Sequence, residues 1–345
     1  MLDSATLNTV TRNAWGLSFG GGVDEAQRTP ATVLHDAPHR QLRKYGPVTD
    51  RPVLLVPPLA APASCYDHRP GQSLVAQLIE NGRTPYVVDY GTMGYADRGL
   101  GFEDWIDDIV PDAILRVSEQ HDGSPVDVIG WSLGGTLSLL TCAAHPELPI
   151  RAIAAIGTPI DYRKIPALAP LRAIGKVTGD RPLTAATRVL GGLPAPLVQL
   201  TYRASAFQRE LGKPWFIAKN LHDTETLARM DAIDQFMADM PGYPGRFFDQ
   251  VCRQLILRNS LNTGRIRFGD RVVELAEISA PVLAVGGTTD VIAPIAAVEA
   301  ITRVATGTAV RFETAPGSHF GLLAGPEAQA TTWAHIERFF GGIAG

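Results

Sequence analysis

Gly130-Trp131-Ser132-Leu133-Gly134 sets a serine between two glycines at the spacing of a nucleophile elbow, Gly-x-Ser-x-Gly. A serine on a sharp strand-to-helix turn is held in strained backbone angles, and its neighbours must be small where chain packs on chain. The turn lifts the hydroxyl and aims it at a base. The N-terminus of the following helix then directs its partial positive charge at a developing oxyanion. Such a serine needs a histidine to take its proton and an acid to orient that histidine. Gly286-Gly287-Thr288-Thr289-Asp290 follows an apolar strand, and its glycines permit a tight turn that presents Asp290. Pro316-Gly317-Ser318-His319-Phe320-Gly321 follows the next strand and frames His319 with glycines. The order serine, acid, histidine suits a nucleophile elbow. Ser132, Asp290 and His319 are therefore the candidate catalytic triad.

The five-residue pattern alone is weak in a glycine-rich chain, so context carries the assignment. Here the serine follows a β-branched strand and precedes a helix that opens on Gly134-Gly135. The second half of an oxyanion hole is expected in the loop after the first central strand, Pro57-Pro58-Leu59-Ala60. Proline has no N–H to donate, which leaves the amides of Leu59 and Leu133 as the candidate donors, with Ala60 a substitute for Leu59. Of the eight histidines, the other seven sit in less suggestive places. His145 follows a helix end, and His335 lies on the last amphipathic helix. His35, His39, His121 and His222 read as surface or turn residues, and His68 is close enough to the oxyanion loop to line its mouth. Among rival acids, Asp89 comes too early in the chain order, Asp127 is inside a strand, and Asp161 opens a helical insertion.

The elements that must position these residues alternate along the chain. The stretch Thr29 to Tyr45 suggests two edge strands with a turn around Pro38. Val53-Leu54-Leu55-Val56, Tyr86-Val87-Val88, Val126 to Ile129 and Ile150 to Ile156 are short apolar strands of the kind buried on both faces. Helical periods lie between them, at Leu74 to Ile79, Phe102 to Val117 and Gly134 to Ala144. Strand, helix and strand in succession imply right-handed crossovers and a parallel sheet. From Asp161 to Asn262 the β signal is lost, and Pro-rich turns separate helical stretches such as Ala228 to Met240. The sheet resumes at Val282 to Val285 and Val310 to Phe312, and a helix from Ala328 to Phe340 closes the chain. The expected architecture is an α/β-hydrolase fold: a mostly parallel central sheet flanked by helices, with an inserted helical cap. Its divisions are an N-terminal extension (1–28), a core (29–160 and 263–345) and the cap (161–262). Gly20-Gly21-Gly22 reads as a flexible joint.

With 45% hydrophobic and 19% charged residues the chain is of globular composition. A net charge of −4 gives no reason to expect nucleic acid or an anionic membrane as partner. Cys65, Cys142 and Cys252 are scattered, which suits buried thiols in a reducing compartment and no metal site. The N-terminus lacks an apolar stretch of signal-peptide length, and no window approaches the ~18 apolar residues of a membrane span. The expectation is a soluble cytoplasmic protein. No cofactor is implied, since a triad supplies nucleophile, base and charge stabilisation by itself.

Several segments resemble the polyhydroxyalkanoate synthases, especially the short class III catalytic subunits. Arg51 to Leu59 is similar to the family's first core strand and loop. Val88 to Gly91, Asp97-Arg98 and Phe102 to Ile106 resemble its next characteristic stretch. Met237 to Pro241, Leu257 to Leu261 and Gly264 to Leu275 match family patterns in and after the cap. The likeness runs from about Thr29 to Phe340. It implies an acyl-CoA or acyl ester substrate, and it leaves room for a homodimer or for association with lipid or polymer granules. One departure matters: the family's nucleophile is a cysteine in a Gly-x-Cys-x-Gly box, and this chain has Ser132 there. A thiolate accepts acyl groups from thioesters and holds them reactive, whereas a serine forms a less reactive oxygen ester. The swap favours hydrolysis or simple acyl transfer, as in lipases, esterases, thioesterases or depolymerases. Polymerisation of 3-hydroxyacyl-CoA and a catalytically silent, granule-associated partner subunit are the alternatives.

Overall fold

The computed structural model describes residues 4–19, 22–23, 28–178, 190–205 and 207–343. Its centre is an eight-stranded sheet. The strands are β1 (Ala31–His35), β2 (Gln41–Tyr45), β3 (Pro52–Val56), β4 (Thr84–Asp89), β5 (Val126–Trp131), β6 (Ile150–Ile156), β7 (Val282–Gly287) and β8 (Val310–Ala315). Their spatial order is β1-β2-β4-β3-β5-β6-β7-β8. β1 with β2, and β2 with β4, pair antiparallel, and every other pair is parallel. The α/β-hydrolase fold read from the sequence is thus the observed one. Of the two strands expected at the edge only β1 lies there, because β2 is covered on its other side by β4.

Burial explains the apolar runs. Every residue of β3 and β5 is buried, with helices on both faces of the sheet. Each large aliphatic side chain removed from water in these strands contributes about 1.5–3 kcal/mol, and a charged substitution there would have no solvent-facing side to turn to. The register Val56↔Gly130 sets the ends of β3 and β5 side by side, so the loop after β3 and the turn after β5 are neighbours. Both candidate oxyanion donors come from those two connections.

Between β6 and β7 the described segments are mainly helical: Ala169–Thr178, Ala195–Ser205, Phe207–Asn220, Thr224–Ala238 and Gly245–Gln250. Two small antiparallel ribbons were not expected. One pairs Gly192–Leu193 with Tyr243–Pro244, and the other pairs Arg265–Phe268 with Arg271–Glu274. The first strand of the second ribbon, Arg265-Ile266-Arg267-Phe268, does alternate, with Ile266 and Phe268 buried, but at four residues the signal is short. The N-terminal stretch, which carries no clear pattern, is a helix over Ser4–Phe19. It docks through buried Asn13, whose Nδ2 donates to Leu221 O at 2.9 Å and to Thr224 Oγ1 at 3.1 Å. Of the expected glycine joint, Gly20 and Gly21 lie outside the described residues. All three cysteines are buried and free.

Candidate active site

Ser132 stands at the junction of β5 and the helix Leu133–Ala144 with φ 55° and ψ −122°. A non-glycine residue at positive φ is uncommon, and such strain costs of order 1–3 kcal/mol. The surroundings over-determine it. Ser132 N–H donates to Ile156 O at 2.8 Å, and Ser132 O accepts from the amides of Gly135 and Thr136 at 3.1 and 3.3 Å. Gly134 is required by close approach, since a Cβ there would lie 2.0 Å from Val56 O. That contact seats the start of the helix directly against the end of β3.

Tyr66 ties the same two ends together, a role that sequence reasoning missed. Its hydroxyl donates to Val56 O at 2.8 Å and accepts from Trp131 N–H at 3.0 Å. Burial pushes the Tyr66 phenol well above its ordinary pKa, so it remains a donor. The amides of Leu59 and Leu133 donate no hydrogen bond among the described residues. Both side chains are buried, and Leu133 opens the helix. The two amides belong to the connections after β3 and β5, whose ends lie side by side.

The loop after β7 carries Asp290 and the loop after β8 carries His319. Asp290 Oδ1 accepts from the amides of Ile292 and Ala293, both at 2.8 Å. Its Oδ2 is 2.7 Å from Nδ1 of His319, and both residues are buried. A carboxylate only accepts, so this contact puts the proton of the neutral ring on Nδ1 and the lone pair on Nε2. Nε2 of His319 has no hydrogen-bond partner among the described residues, Ser132 included. Gly157, just past β6, has φ 55°, and a Cβ on it would come within 3.3 Å of His319 Nδ1. Trp131 flanks the ring, with centroids 5.1 Å apart, and its Nε1 donates to His319 O at 3.2 Å. Neither Gly157 nor Trp131 was singled out from sequence. A glycine ending the strand after the elbow was the available signal.

A cavity of about 970 Å³ adjoins the histidine, lined by Trp131, His319, Phe320, Phe236, Met237 and Gln72 among others. Phe236, on the helix Thr224–Ala238, stacks on Phe320 with centroids 4.8 Å apart. His68 does not line this cavity, contrary to expectation. It is buried behind it, edge-on to Phe236 at 5.1 Å and to Phe320 at 4.8 Å. His121, expected as a surface or turn residue, is also buried and meets Tyr86 Oη at 2.8 Å.

The rival acids are occupied elsewhere. Asp89 pairs with Arg43 at 2.8 Å. Asp161 accepts from Arg163 N at 3.0 Å and from Asn259 Nδ2 at 2.8 Å. Asp127 is clamped by two arginines at the far end of β5. Among the described residues no group of three or more His, Cys, Asp or Glu could hold a metal ion, and no helix is long and apolar enough to cross a membrane.

An eight-stranded, mostly parallel sheet with a strained serine after its fifth strand, and an acid–histidine pair after the last two, defines a class. The profile of the alpha/beta hydrolase family matches residues 53–332, and the chain belongs to that family. Membership supports an enzyme of the hydrolase or acyltransferase kind. Within the class, the chain is similar to the poly(3-hydroxyalkanoate) polymerase subunit PhaC of Thiocystis violacea, 22% identical over 282 residues, covering 81% of this chain and 77% of the relative. The corresponding subunit of Allochromatium vinosum is 23% identical over 279 residues, with the same coverage. Among solved structures, a monoacylglycerol lipase of Paleococcus ferrophilus superposes with a TM-score of 0.54 at 18% identity, over 88% of this chain and 98% of the lipase. That likeness concerns the fold alone.

Proposed function

We propose that this protein is a serine-dependent hydrolase or acyltransferase for hydrophobic acyl esters or thioesters, acting through an acyl-enzyme on Ser132. The observation that carries the reading is the buried 2.7 Å contact of His319 Nδ1 with Asp290, which leaves Nε2 free in the site that follows a strained elbow serine. Ser132 Oγ attacks the acyl carbonyl carbon while His319 Nε2 takes its proton. The amides of Leu59 and Leu133 stabilise the resulting oxyanion; one such donor is worth about 10²–10³ in rate. Collapse breaks the bond to the leaving oxygen or sulfur, which receives the proton from His319. Water, or an acceptor alcohol, then attacks the acyl-serine with the same histidine as base, and Ser132 regains its proton.

The segment 161–262 serves in this reading as a cap. Tyr202, Phe216, Met230, Ile233, Phe236 and Met237 from it line the cavity and suit an apolar acyl chain. Polymerisation of 3-hydroxyacyl-CoA is the second reading, favoured by the names of the similar proteins. The oxygen nucleophile weighs against it.

The test incubates wild type and Ser132→Ala with 3-hydroxybutyryl-CoA and with a long-chain acyl-CoA, following CoA release and the acyl product. Serine-dependent release of free acid is expected. Serine-dependent polymer would replace the leading reading with the second, and labelling of neither protein by a fluorophosphonate would remove the enzyme claim.

A further inference from the structure

Ser132 follows β5 and His319 follows β8, and the ends of β6 and β7 lie between them in the sheet. The loop after β8 must therefore fold back across those strand ends and stop at a defined place. Asp290 holds the imidazole at Nδ1, 2.7 Å away, which fixes the tautomer. A contact at one ring nitrogen leaves the backbone position of the histidine to be set by something else. Trp131 supplies it from the nucleophile's own strand. It is the last residue of β5 and the direct chain neighbour of Ser132. Its Nε1–H donates to His319 O at 3.2 Å, a buried bond between residues 188 positions apart. An indole has one donor and no acceptor, so this bond uses the whole of its hydrogen-bonding capacity. The ring also stands beside the imidazole, with centroids 5.1 Å apart and planes inclined by 37°. Trp131 is itself held firmly: it is 1% exposed, and its backbone N–H donates to Tyr66 Oη at 3.0 Å. Phe320 packs edge-on against the indole at 5.9 Å.

We propose that Trp131 is a positioning residue, whose indole N–H and ring fix His319 in register with Ser132. The proposal rests on the reading of Ser132 as nucleophile. It adds that the residue before the serine ties the elbow to its base. In such a constellation a misplacement of about 1 Å costs about 10²-fold in rate. Trp131→Phe keeps an aromatic ring beside the imidazole but leaves His319 O without its donor.

The test compares wild type with Trp131→Phe and with 3-benzothienylalanine at position 131, which keeps the bicyclic shape and replaces the N–H by sulfur. On p-nitrophenyl butyrate kcat should fall roughly 10- to 100-fold in both, with KM within about threefold of wild type. Thermal melts run beside the kinetics, and the isostere carries the test if the smaller phenyl ring leaves the fold unstable. A raised KM at unchanged kcat would make Trp131 a wall of the acyl cavity and overturn the proposal. A kcat within about threefold of wild type would overturn it as well.

Proton NMR supplies a reading that needs no turnover. The Nδ1 proton that His319 donates to Asp290 resonates far downfield, and its absence from Asp290→Ala protein assigns it. It should move upfield or broaden once the indole donor is removed, because the histidine is no longer held against its carboxylate. An unmoved resonance would overturn the proposal even if kcat fell, since the indole would then act on the serine or the substrate. Turnover that survives in Ser132→Ala bears on the nucleophile alone and leaves the resonance to decide for Trp131.

Discussion

Strand β5 ends in two buried polar clusters that are opposites in how they treat their polar atoms. At its start, Asp127 accepts from Arg83 Nη1 at 3.0 Å and is gripped through both oxygens by Arg151. Arg83 also holds Glu337 at 2.9 Å and lies over the ring of Phe340. Every charge there meets its complement. At the other end stand a strained serine, a histidine with Nε2 unpartnered, two idle amides and the buried, unpartnered Oε1 of Gln72. A closed network holds structure together, while an open one keeps groups in place for something that arrives. Depth of burial does not separate the two, since Asp127 and Asp290 are both nearly inaccessible. Completeness of pairing does.

The largest effect should come from the open end. Ser132→Ala is expected to lower kcat on an activated acyl ester by about 10⁴–10⁶-fold, and Asp290→Asn by about 10⁴-fold, with melting temperature nearly unchanged. Steady-state kinetics beside a thermal melt decide this. Activity within tenfold of wild type in either variant would end the triad assignment and dissolve the contrast.

The closed end should answer in the opposite currency. Asp127→Ala leaves Arg83 and Arg151 without their shared counter-charge, and breaking a buried pair this way costs about 3–5 kcal/mol. Urea unfolding should show that loss, while kcat per folded molecule stays at the wild-type level. A stable but inactive Asp127→Ala protein would mean that the two ends are coupled rather than contrasted.

How far the sequence reveals this contrast depends on the range over which each signal acts. The doubly covered strands were legible, because an apolar run such as Val53 to Val56 records its own burial locally. Ser132, Asp290 and His319 were legible as candidates, because turn glycines mark the loops that carry them. The 2.7 Å contact of His319 with Asp290 is visible only in three dimensions. The clamp on Asp127 was not legible: Arg83, Asp127 and Arg151 meet because β4, β5 and β6 start at the same edge, and nothing near each residue announces it. Tyr66 and Gln72 were hidden for the same reason, as each bonds to a backbone group distant in sequence, Trp131 N–H and Ala324 O. The N-terminal helix was hidden because, among its described residues, the buried side chain is the polar Asn13 rather than a wide apolar face.

His68 sharpens the comparison with the smallest effect, because it is open in one sense and closed in another. Its Nε2 has no partner among the described residues, yet it is sealed behind Phe236 and Phe320. Burial, helped by the charge of Arg28, lowers its pKa from 6.5 to about 3, so the ring stays neutral wherever the enzyme is studied. Because the folded pKa lies below the unfolded one, the folded state resists the proton. The full stability is present above pH 6.5 and is lost as the pH falls towards 3, at up to about 1.4 kcal/mol per pH unit. Between pH 7 and pH 5 this one residue should remove about 2 kcal/mol. A His68→Leu variant has nothing to protonate at that position, so its stability should fall by about that much less over the same interval. Urea titrations of both proteins at the two pH values measure the difference. Parallel losses would mean that acid reaches His68 without unfolding anything, through an aromatic wall that opens. The ring would then belong with the groups that await a ligand, not with those that hold the fold.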